Sequence, residues 1–127
     1  MTVSFNHTIV WSTDRTVSAA FFAEIYGLAA PEDLYHFKVV EVANGVSMDF
    51  ADRDGPISPQ HYAFLVSEDE FSAIMDRIEA KGMTYWADPG RTRPGEINRN
   101  DGGRGVYFEG PDGHFYEALT VPYGGAR

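Results

Sequence analysis

Two histidines and a glutamate, His7, His61 and Glu117, stand at positions from which they could do chemistry together. Each lies near the start or end of a strand-like run. Two neutral imidazoles and a carboxylate form a mixed nitrogen and oxygen set that can face a divalent ion and leave positions open for water or substrate. Zn, Ni, Mn and Fe(II) all suit such a set, so the residue types imply one divalent metal ion per site without choosing among them. A lone strand histidine is commonly a satisfied structural group. Glu117 resists that reading, because Phe115, Ala118 and Leu119 flank it and an unpartnered buried carboxylate is costly. Asp49 interrupts Val46, Met48 and Phe50 and shares parity with Ser47, so it could be a fourth ligand, a group supporting the ligands, or the solvated face of an edge strand.

These side chains need elements to position them. Residues 5–11 are β-branched and aromatic, and a helical pattern follows through Val17, Ala20, Phe21, Phe22 and Ile25, with Asp14 as N-cap and Gly27 as terminator. The second half repeats this. Residues 62–66 predict a strand, Ser67 and Glu70 a capping box, and Phe71, Ile74, Met75 and Ile78 one apolar helical face before Gly82. Twenty residues separate His7 from Gly27, and twenty-one separate His61 from Gly82. Further strands are expected at 37–42, 46–51, 84–87, 105–109 and 114–120, with a weak one near 28–34 interrupted by Pro31. The expected fold is α+β. Paired βαβββ modules, about residues 1–56 and 57–127 of one domain, would form a curved eight-stranded sheet around a metal-containing cavity, with helices near 14–26 and 68–81 outside.

Period-two alternation groups the candidates. His7, Ile9 and Trp11 share one strand face, as do His61, Ala63 and Leu65, and as do Phe115, Glu117 and Leu119, so the two histidines and the glutamate converge if those faces line one cavity. His36 and His114 fall outside this grouping and are expected to face solvent or cap turns. Residues 88–103 form the one long irregular segment, and Arg91, Arg93, Arg99 and Arg104 are four of ten basic residues. The plain expectation is a solvated loop whose arginines pair with Asp88, Glu96 and Asp101. The functional one is a lid that offers a guanidinium, such as that of Arg91, to a substrate anion.

Composition narrows the partners. A chain of 127 residues is the size of one domain, and a formal charge of -9 opposes binding to a nucleic-acid backbone. Cysteine is absent, which removes thiol chemistry and disulfides. No basic start with an apolar run and no stretch of ~18 apolar residues is present, so a soluble, cytoplasmic protein is expected, with neither membrane nor nucleic acid as partner.

Taken together, FNHTIV with His7, the following AAFFAEIYGL, QHYAFLV with His61, and GVYFEGPDGHFYEAL with Glu117 resemble the vicinal oxygen chelate superfamily. That superfamily contains glyoxalase I, extradiol dioxygenases, fosfomycin-resistance enzymes and metal-free bleomycin-binding proteins. The resemblance implies that His7, His61 and Glu117 are the metal triad, and that Ser47 or Asp49 lies near the extra glutamate ligand of glyoxalase I. Tyr107 matches the tyrosine of the extradiol motif, but Asn98, Arg99 and Asn100 precede it where those enzymes carry a histidine, and Gly110 replaces a commoner acidic residue.

By this resemblance the protein is a divalent-metal-dependent enzyme, glyoxalase-like in the broad sense, acting on a small-molecule substrate through two vicinal oxygens. The alternatives are an atypical Fe(II) dioxygenase acting on an aromatic substrate and a drug- or metabolite-binding resistance protein. Glu117, Tyr107 and Asp49 are the candidate catalytic groups, with Asp49 or Glu117 as a base and Tyr107 as a hydrogen-bond donor to a developing anion. Trp11, Phe50, Trp86, Arg91 and Phe115 are the candidate substrate pocket. Exposed edges in paired modules predict a homodimer, with sites built within one chain or shared between two.

Overall fold

The computed structural model of the protein describes residues 2–125. The chain divides between Ser58 and Pro59 into two compact units. The first contains β1 (His7–Ser12), α1 (Arg15–Tyr26), β2 (Glu32–Leu34), β3 (Phe37–Glu41) and β4 (Ser47–Asp52). The second contains β5 (His61–Leu65), α2 (Glu68–Ala80), β6 (Tyr85–Trp86), β7 (Gly105–Glu109) and β8 (Phe115–Leu119).

Local chemistry sets the helix limits. Asp14 accepts hydrogen bonds from the Thr16 and Val17 N–H groups at 2.9 and 3.3 Å, and Gly27 closes α1 at φ 70°, a left-handed conformation that favours glycine. The Ser67 hydroxyl accepts from the Glu70 N–H at 3.1 Å while the Glu70 carboxylate accepts from the Ser67 N–H at 2.7 Å, completing the capping box at α2. A cap of this kind contributes about 1 kcal/mol. Pro31 precedes the three-residue β2, and Tyr35 at φ 55° turns the chain at its end.

Each unit closes its own ladder. The first sheet has the order β1-β4-β3-β2 and the second β5-β8-β7-β6, and in each the first strand runs parallel to the last while the other pairs are antiparallel. The expected curved eight-stranded sheet is therefore not what forms: among the described residues there are two separate four-stranded sheets. Alternation within a strand reveals which face is buried but not which edge receives the next strand's hydrogen bonds, so the repeat was legible and its continuation into one sheet was not.

The repeat extends to register. His7 lies opposite Ser47 and Ile9 opposite Asp49, as His61 lies opposite Phe115 and Ala63 opposite Glu117. Asp49 is thus the counterpart of Glu117. β4 is an interior strand and Asp49 is buried, so the expectation of a solvated edge-strand face is corrected.

One face of each sheet supplies core. Val10, Val40, Met48 and Phe50 are buried in the first unit with Phe22 and Ile25 of α1, and the Phe22 and Phe50 rings stand 5.7 Å apart. In the second unit Phe71, Ile74 and Ile78 of α2 are fully buried, as are Val106, Phe108 and Ala118. Arg104 ties α2 to the start of β7 through the Glu68 carboxylate at 2.7 Å and the Ser72 hydroxyl at 2.9 Å, with its guanidinium 4.5 Å from the Phe71 ring centre. No helix among the described residues is long and apolar enough to cross a membrane.

Candidate functional site

On the second sheet, β5, β8 and β7 bring odd-numbered residues to the face opposite the core. Parallel pairing of β5 with β8 makes His61 and Glu117 diagonal neighbours, and antiparallel pairing of β7 with β8 sets Tyr107 directly beside Glu117. The His61 Nε2 atom lies 2.9 Å from Glu117 Oε1. Glu117 is 1% exposed, whereas the His61 side chain is 43% exposed, so a deeply held carboxylate carries a more accessible imidazole at its edge.

The conflict of a carboxylate in an apolar strand is resolved by a residue that pattern reading did not find. Tyr123 follows β8 and brings its hydroxyl to 2.7 Å from Glu117 Oε1 and 2.6 Å from Oε2. Since that hydroxyl donates to the carboxylate, it accepts from the Tyr107 hydroxyl at 3.0 Å. Desolvation of the hydroxyl and then the bond to Glu117 raise the Tyr123 phenol well above its ordinary value, which keeps it a donor; half of the residue is nonetheless exposed. Burial also raises Tyr107, with the hydrogen bond to Tyr123 opposing it and the Glu117 charge adding to it. Lying outside every strand, among Pro122, Gly124 and Gly125, Tyr123 gave no periodic signal.

Aromatic side chains continue this face. Phe115 stacks on Tyr107 at 5.5 Å and lies 5.8 Å from Trp86, while His61 meets both Tyr107 and Phe115 edge-on. The Arg91 guanidinium sits 4.4 Å from the Phe115 ring centre and 4.9 Å from that of Trp86. It is held by Glu109 at 3.1 Å, and not by the loop's own acids as the plain expectation had it. Asp88 instead folds the loop by accepting from the backbone N–H groups of Thr92 and Arg93 and from the Thr92 hydroxyl.

The structure thus gathers His61, Glu117, Tyr107, Trp86, Arg91 and Phe115 in the second unit. His7, Trp11, Phe50 and Asp49 belong to the first. His7 is exposed with its Nδ1 2.7 Å from Asn6 Oδ1, and Trp11 is 43% exposed with Arg53 5.6 Å from its ring centre. Asp49 accepts from the Ser47 hydroxyl at 2.7 Å on the same sheet face. Phe50 is on the other face, fully buried against Phe22, so it packs the helix–sheet core and does not line a pocket wall there. His114, expected at the surface or on a turn, is 1% exposed; its Nδ1 accepts from the Gln60 N–H at 3.0 Å and fixes the approach to β5.

Among the described residues no group of three or more His, Cys, Asp or Glu side chains is arranged to hold a metal ion. The His61 and Glu117 pair fits two places in such a group. Two donors each about 2.1 Å from one ion and a right angle apart stand about 3 Å from each other, close to the observed 2.9 Å.

The sequence profile of the Glyoxalase/Bleomycin resistance protein/Dioxygenase superfamily matches residues 4–118. Among solved structures, the chain is 57% identical to oxidase ChaP-H2, with all of each chain covered and a TM-score of 0.96. It is 60% identical to oxidase ChaP-H1, over 97% of this chain and 99% of that one, with a TM-score of 0.95. Metallothiol transferase FosB of Lysinibacillus sphaericus (strain C3-41) is 32% identical, over 94% of this chain and 84% of the transferase. With paired strand–helix repeats in place and the profile spanning nearly the whole chain, this protein belongs to the vicinal oxygen chelate superfamily of glyoxalases, bleomycin-resistance proteins and dioxygenases.

Proposed function

We propose that the protein is a metal-dependent oxidase that acts on a flat aromatic substrate bearing two adjacent oxygens. The identity of 57% over the full length of oxidase ChaP-H2 carries this reading, because it favours oxygen-dependent chemistry over the isomerisation that glyoxalase likeness alone suggests. The second sheet agrees with it. Trp86, Phe115 and Tyr107 form an aromatic wall, and the Arg91 guanidinium that lies over the Trp86 and Phe115 rings suits a phenolate or carboxylate at its edge.

In this reading His61 and Glu117 hold a divalent ion with His7 as a third ligand, and Asp49 acts as a further ligand or a base. Such an ion supplies a Lewis-acidic centre for two neighbouring substrate oxygens. The chain's own contribution is to bound the ring with the Trp86, Phe115 and Tyr107 wall, to meet its anion with Arg91, and to direct the Tyr107 and Tyr123 hydroxyls toward the carboxylate.

The test is oxygen uptake by metal-repleted protein with catechols and hydroxylated aromatic ketones, run beside the hemithioacetal of glutathione and methylglyoxal. Oxygen-dependent turnover is expected, with Arg91→Ala raising KM by about 10-fold, the scale of one exposed cation–π and charge contact. Turnover of the hemithioacetal without oxygen, or ligand binding without turnover, overturns the oxidase reading.

We further propose a homodimer. Trp11, Leu34 and Leu65 are exposed apolar residues on strands, and β1, β2, β5 and β6 are sheet edges, features that two-fold association commonly covers. Sedimentation is expected to give twice the chain mass. A monomer at working concentration rejects the dimer.

A further inference from the structure

The segment after β8 is anchored on both sides of Tyr123. A Cβ on Gly103 would lie 2.7 Å from both Thr120 Oγ1 and Val121 Cγ2, so only glycine lets the chain pass there unshifted. The Arg104 N–H donates to Thr120 Oγ1 at 2.8 Å, and the Gly124 N–H donates to Asp101 Oδ2 at 3.3 Å. Beside the last of these anchors stands Tyr123, whose hydroxyl meets both oxygens of Glu117.

A phenol carries one proton and can donate it to one carboxylate oxygen at a time. The Tyr123 hydroxyl reaches both oxygens, Oε1 at 2.7 Å and Oε2 at 2.6 Å, and because His61 Nε2 stands at Oε1 the oxygen away from the imidazole, Oε2, is the one the Tyr123 proton serves. The Tyr107 hydroxyl, at 3.0 Å, occupies an acceptor site on Tyr123 and so directs the Tyr123 proton toward Glu117. We propose that Tyr123 is a positioning residue: its hydrogen bond to Oε2 fixes the rotation of Glu117 and leaves Oε1, beside His61, as the oxygen offered to a cation. This rests on the reading of His61 and Glu117 as ligands. Tyr123 thus acts on the cation through Glu117, in the manner of the outer partners that orient ligating carboxylates.

The experiment titrates metal-free wild-type, Tyr123→Phe, Tyr107→Phe and Glu117→Ala proteins with Zn and with Co(II). Tyr123→Phe is expected to lose about 10–100-fold in Zn affinity, the usual effect of removing such a partner, measured where the metal-free variant is fully folded, because loss of the donor to a buried carboxylate also lowers its unfolding midpoint. Its Co(II) visible bands are expected to weaken, because a freed carboxylate adds its second oxygen and raises the coordination number. Tyr107→Phe, which keeps the Tyr123 phenol but removes its donor, is expected to lose affinity in the same direction by less. Affinity in Tyr123→Phe within twofold of wild type, or above it, overturns the proposal while Glu117→Ala still loses the metal. Equal binding by Glu117→Ala and wild type overturns the ligand reading and this proposal with it.

Discussion

Glu117→Ala is expected to remove tight divalent-metal binding, with a loss beyond the ~10–100-fold that follows loss of an outer partner. Glu117 is the most deeply held member of the candidate ligand set, being 1% exposed, and both its oxygens already face donors. Alanine leaves the Tyr123 hydroxyl and the His61 ring without the acceptor that organises them. Equilibrium titration of metal-free protein measures the effect, and His61→Ala should reproduce much of it. Unchanged stoichiometry in both variants would end the proposal that this pair binds a metal. The proposed oxidase activity depends on the same result, so uptake of oxygen should fall with metal content in these variants.

Phe22→Ala is expected to cost about 3–5 kcal/mol, the range for truncating a fully buried phenylalanine. The ring is completely buried, 5.0 Å from Tyr26 on the same helix and 5.7 Å from Phe50 on β4. Its removal opens space between α1 and its sheet at a place where backbone on both sides is fixed by caps and ladders. Urea unfolding checks the value against Leu65→Ala, where 62% exposure limits the expected change to about 0.5 kcal/mol. A cost for Phe22→Ala no greater than that for Leu65→Ala contradicts the helix–sheet core described for the first unit.

Much of the architecture was legible because two local rules apply twice. Asp14 and Ser67 start helices for reasons that need no tertiary context, and strict alternation on β5 and β8 placed His61, Phe115 and Glu117 on one face. Residues 105–109 form a strand as expected, and even the interrupted piece after Pro31 appears as β2. Sheet closure was not legible, since edge pairing depends on hydrogen bonds that leave no mark on hydropathy. The same limit hid the partners of Glu117 and Arg91. Tyr123 comes from an irregular segment and Glu109 from a strand end, and neither contact follows from parity. Phe50 was misplaced for a related reason: on β4 both faces are buried, so an aromatic residue there carries no sign of which side it serves.

The division between the units also bears on how the gene could be cut. Residues 54–58 lie outside every strand, and both four-stranded ladders are complete without them. Breaking the peptide bond there leaves every pair of hydrogen-bonded strands on one fragment, whereas a cut within a hairpin divides a pair. Each half would then carry its own nucleus, from β1 with α1 or from β5 with α2, and its own full set of strand partners. A gene cut between Asp54 and Ser58 is accordingly expected to yield two halves that each keep a complete four-stranded ladder, which circular dichroism of the separate fragments checks.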